Sequence, residues 1–142
     1  MFGSVLEKVI GSRKFLFTFF ISGIIAGVGS VIFYSASIGA SGAIYGIMGA
    51  LAVLRPRMIV YVGFAPLPMF LAVVFWAAGD LFGLFFPTSS TAYAAHLFGL
   101  FFGLIYGLIL RKDHGEFIVK RPKEEIDDEK FKEWEDEYMS SY

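Results

Sequence analysis

Residues 15–54 contain no Asp, Glu, Lys or Arg, and this run limits the possible folds more than any other feature. Coiled as α-helix it would extend about 60 Å, twice the ~30 Å hydrocarbon thickness of a bilayer. A single soluble core of this size could not bury it, so the chain is expected to fold in lipid. From Met58 to Leu110 the ionisable side chains other than Tyr are Asp80 and His96 alone, which implies a second pair of crossings. The 56% hydrophobic content, with 17 Phe, agrees with lipid as the solvent.

Membrane spans are expected at residues 15–33, 39–54, 67–86 and 93–110. Turn chemistry separates them: a polar stretch from Tyr34 to Ser37, Arg55-Pro56-Arg57, Pro66 and Pro68, and the run from Pro87 to Thr91. Met1 to Leu6 is too short and lacks a cleavage site for a secretory signal, and reads as the end of another helix. The expected fold is therefore all-α, a polytopic membrane helical bundle of four full transmembrane helices plus the end of a fifth at the N-terminus.

Arg13 and Lys14 precede the first full span, Arg55 and Arg57 follow the second, and Arg111 and Lys112 follow the fourth. The other two connections carry no charge. The positive-inside rule then puts the basic flanks in the cytoplasm and residues 34–38 and 87–92 outside. From Arg111 onward there are eleven acidic and seven basic residues. Residues 1–112 thus form a membrane domain and residues 113–142 a charged cytoplasmic tail. Phe131, Trp134 and Tyr138 could line one face of a short amphipathic helix in that tail, or the tail is simply solvated.

The absence of Cys removes disulfides, thiolate metal sites and a cysteine nucleophile together, and two His argue against a zinc site. The second full span opens Gly39-Ala40-Ser41-Gly42-Ala43-Ile44-Tyr45-Gly46, and the fourth contains Ala95-His96 followed by Gly99, Gly103 and Gly107. Both spans run inward from the outer side, so Ser41 and His96 are expected at similar shallow depth. Gly42, Gly46 and Gly49 share a helix side with Ser41 and Tyr45, and the later glycines form a stripe with His96. Stripes of small residues let two backbones approach in lipid, close enough for short side chains to meet. The first-turn amides of a helix lack intrahelical partners, so the Ser41 N–H could donate to an oxyanion. A neutral His96 could then take the Ser41 proton.

Each feature also has a plain structural reading. A membrane Ser often bonds its own backbone, and a membrane His can serve as an interhelical hydrogen bond or a proton relay. Asp80 could orient His96 or bond neighbouring helices. An aspartyl protease would need a second membrane Asp, and no His-Glu-x-x-His supports a zinc protease.

Gly39-Ala40-Ser41-Gly42 with Tyr45, followed two helices later by Ala95-His96 and the Gly99 and Gly103 spacing, closely resembles the core of the rhomboid intramembrane serine proteases. Glu7-Lys8-Val9-Ile10-Gly11-Ser12 resembles the rhomboid loop after the second core helix, and Gly79-Asp80-Leu81-Phe82-Gly83 resembles the fifth. The resemblance covers about residues 1–112 of a six-helix core that it enters partway along the second helix, beyond the family's oxyanion-hole His and Asn side chains.

It implies a serine endopeptidase cutting transmembrane segments of other proteins within the bilayer, with Ser41 as nucleophile, His96 as general base and Tyr45 packed on the His96 ring. Residues 67–86 and the cap at 87–92 would gate substrate entry, and Glu7 would be structural. No cofactor, metal or nucleic acid is expected. The chain is expected to be a multi-pass protein of the cell membrane. The alternatives are an inactive rhomboid-like protein that binds transmembrane segments, and part of a transporter using His96 and Asp80 as a proton path.

Overall fold

The computed structural model describes residues 1–34, 39–86 and 91–114. The charged tail from residue 115 on, with its aromatic stripe, and residues 35–38 and 87–90 of the expected outer loops lie outside the described residues. Among those described, five helices and one hairpin follow in the order α1 (Phe2–Ile10), α2 (Ser12–Phe33), α3 (Ser41–Leu54), β1 (Ile59–Val62), β2 (Ala65–Pro68), α4 (Met69–Phe85) and α5 (Tyr93–His114).

The N-terminal residues are helical, but the helix extends through Glu7 and Lys8 to Ile10, where a loop would follow from the resemblance. Gly11 ends it with φ 82°, a conformation that costs a side-chain-bearing residue steric strain. Helix α2 starts directly afterwards and takes Arg13 and Lys14 into its first turn, three residues ahead of the expected span. Both are good helix formers whose long stems let the charge reach the interface.

The expectation of a purely helical chain is corrected at residues 59–68, which pair as an antiparallel hairpin with Val62 opposite Ala65 and Ile59 opposite Pro68. The stretch Ile59-Val60-Tyr61-Val62 favours extended backbone, and Gly63, at φ 62°, makes the two-residue turn with Phe64. In this register Pro66 and Pro68 fall at positions whose nitrogens face away from the partner strand, so neither removes a ladder bond. The prolines therefore belong to a strand rather than to an irregular delay. The hairpin's base also completes α4: Met58 O accepts from Met69 N (2.8 Å) and Pro56 O from Phe70 N (3.2 Å), two first-turn donors.

Two of the described helices, α2 and α5, are long and apolar enough to cross a membrane, while α3 and α4 are shorter apolar helices of 14 and 17 residues. The distribution of surfaces explains α3. Its residues from Gly42 to Leu54 are buried apart from Ile44, Tyr45 and Val53, because α2, α5, α1 and α4 surround it. A helix enclosed by protein need not match the hydrocarbon thickness. Helix α2 instead exposes Leu16, Phe17, Phe20, Ile24, Val28, Val31, Ile32 and Phe33, and turns Thr18, Ser22, Ala26 and Ser30 inward. Apolar side chains outward and small or polar ones inward describe an integral membrane protein.

Candidate active site

The closest helix pair is α3 against α5, and glycine permits the approach. A Cβ at Gly99 would overlap the Gly42 carbonyl, and one at Gly103 would overlap the Gly46 carbonyl. Gly49 lies against the backbone of Leu100 and Gly103, and Gly107 against that of Ala50. A Cβ at Gly42 would also meet Ala26, and one at Gly46 would meet Ser22, so α2 enters the same seam.

At the top of the seam Ser41 is the first residue of α3 and His96 lies in the first turn of α5. Ser41 Oγ is 2.9 Å from His96 Nε2. Ser41 is exposed, whereas His96 is 9% exposed, so a reachable hydroxyl sits over a buried ring. The Tyr45 ring, one turn below Ser41, stacks on the imidazole at 4.3 Å between centroids and 14° between planes. On its far edge, His96 Nδ1 lies 3.2 Å from both carboxylate oxygens of Asp80 in α4, itself 7% exposed.

Local backbone geometry prepares this end of α3. Gly39 adopts φ 147°, which side chains disfavour, and directs the chain into the helix. Ile44 N donates to Ala40 O (3.1 Å), the first bond of the turn, so the Ser41, Gly42 and Ala43 amides precede the helix's own ladder. A hydroxyl within hydrogen-bond distance of an imidazole, beside early helical amides, is an arrangement able to transfer a proton and receive negative charge.

Of the residues singled out in the sequence, the structure brings together Ser41, His96, Tyr45 and Asp80, with Gly42, Gly99 and Gly103 in the seam beneath and Gly39 at its entrance. Glu7 is elsewhere. Its neighbours Val5, Lys8 and Val9 line a pocket with Leu54 to Met58, beyond the far end of α3 and about 20 Å from Ser41 at 1.5 Å per residue. Two contributors were not foreseen. The Tyr34 hydroxyl accepts from Ala94 N at 3.2 Å and caps the helix that carries His96. The inward face of α2 follows a four-residue spacing, Thr18, Ser22, Ala26 and Ser30, a signal present in the sequence but masked by the uniform hydropathy of that helix.

A helical membrane domain with a serine and a histidine at the head of a glycine seam defines a narrow class of proteins, and comparison with known families agrees. Residues 1–113 match the Rhomboid domain family. The chain is 32% identical to the mitochondrial rhomboid protein 1 of Saccharomyces cerevisiae over 78% of its own length and 35% of that protein's. It belongs to the rhomboid family. The chain spans about a third of the length of this relative. No solved structure matches it at a significant level.

Proposed function

We propose that the protein is an intramembrane serine endopeptidase that cleaves transmembrane segments of other membrane proteins, with Ser41 as nucleophile and His96 as general base. The observation that carries this reading is the 2.9 Å approach of Ser41 Oγ to His96 Nε2. Ser41 Oγ attacks the scissile carbonyl carbon while its proton passes to His96 Nε2. The oxyanion is met by the Ser41 amide, a donor without an intrahelical acceptor. His96 then protonates the leaving nitrogen, the C–N bond breaks and an acyl ester remains on Ser41. Water repeats the sequence in reverse roles, releasing the new carboxylate and restoring the serine.

The reading includes four membrane crossings, α2, α3, α4 and α5, with the hairpin and the basic flanks on the cytoplasmic side and Ser41 toward the outer side. Substrates are helices that unwind readily there and enter from lipid past α4, whose Phe70, Val74, Phe75 and Phe82 face outward. The chain resides in the cell membrane, residues 1–112 forming the membrane domain and 113–142 a cytoplasmic tail. The yeast relative is named for the mitochondrion, so subcellular fractionation is the direct check.

Labelling of the membrane-reconstituted chain by a fluorophosphonate probe tests the chemistry. Labelling is expected in the parent chain and absent in both Ser41→Ala and His96→Ala. A parent chain that stays unlabelled, also when extended upstream, would replace this reading by an inactive rhomboid-like binder of transmembrane segments.

A further inference from the structure

The acid and base chemistry above uses one edge of the His96 ring, and the other edge meets a carboxylate that the proposed reaction leaves unused. Asp80 is 7% exposed and lies in a membrane helix, where an uncompensated carboxylate is costly. Both its oxygens lie 3.2 Å from Nδ1, the geometry of a shared N–H donor. The Tyr45 ring covers the imidazole face. Ser41 and Tyr45 come from α3, Asp80 from α4 and His96 from α5, so three helices meet at one ring.

Free histidine favours the tautomer with hydrogen on Nε2, which would turn a donor toward Ser41. A carboxylate at Nδ1 reverses that preference, because it accepts hydrogen bonds and offers none. We propose that Asp80 is a positioning residue that holds His96 as the Nδ1–H tautomer, leaving Nε2 to accept the Ser41 proton. The inference rests on the proteolytic reading for its kinetic consequence but not for its tautomer.

Two measurements separate those parts. In a chain carrying His114→Gln, nitrogen NMR of labelled histidine reports His96 alone. The parent should show a protonated Nδ1 and a bare Nε2, and Asp80→Ala and the near-isosteric Asp80→Asn should shift hydrogen toward Nε2. Fluorophosphonate labelling should slow by on the order of 10²-fold or more in both variants. An Nε2–H tautomer in the parent, or Asp80 variants with unchanged tautomer and labelling within twofold of the parent, would overturn the proposal. If the parent is never labelled, the proteolytic reading fails while the tautomer still decides the role of Asp80.

Discussion

Gly99 sets how near α5 comes to α3, since even a methyl group there would occupy the space of the Gly42 carbonyl. Gly99→Ala must push the helices apart, and the Ser41–His96 contact is one turn above the point of separation. We expect a loss of about 1–3 kcal/mol in stability, read as a lower thermal midpoint in detergent, together with at least tenfold slower fluorophosphonate labelling. A methyl group on Gly27 in α2 would meet nothing within 4 Å, so Gly27→Ala should be neutral or stabilise by up to about 1 kcal/mol through helix propensity. The spacing of these glycines was visible in the chain, as were the serine and the histidine. The partner of Nδ1 was not, because a buried Asp fits a triad and an interhelical bond equally well until its direction is known.

The helices begin and end for local reasons that were partly legible. Arg55-Pro56-Arg57 does stop α3, but the chain after it pairs into a hairpin. Four residues of extended preference were hidden within a longer apolar stretch that also suits a helix approach. The start of α5 depends on a long-range contact, the Tyr34 hydroxyl on Ala94 N, and sequence spacing gives no sign of a cap 60 residues away. Tyr34→Phe removes that acceptor and should cost about 1 kcal/mol. Hydrogen exchange at the Ala94 amide should accelerate about fivefold, with amides near Gly103 unchanged. Equal acceleration along all of α5 would mean that Tyr34 supports the bundle as a whole rather than the helix end.

On the scale of the whole molecule, α3 is enclosed while α2 presents a continuous apolar surface to lipid. The proposed four-crossing topology would put the hairpin turn and the head of α5 on opposite sides. Because the chain lacks cysteine, single thiols report this without background. Phe64→Cys, at a fully exposed position on the turn, and Ala92→Cys, just before α5, should be modified by a membrane-impermeant maleimide from opposite faces of sealed vesicles. Modification of both from one face would remove the four-crossing arrangement and the shared shallow depth it assigns to Ser41 and His96.

By itself the sequence determined the solvent, the approximate helix positions and the small-residue stripes, because hydropathy, charge and residue size act locally and add along the chain. Tertiary structure decided that α3 is the enclosed helix and that Asp80 meets the far edge of His96. Those outcomes depend on how each helix is rotated about its axis and which neighbours surround it. In lipid, where apolar faces are interchangeable, that rotation is set by the fit of one backbone against another and not by a hydrophobic pattern that any single helix carries.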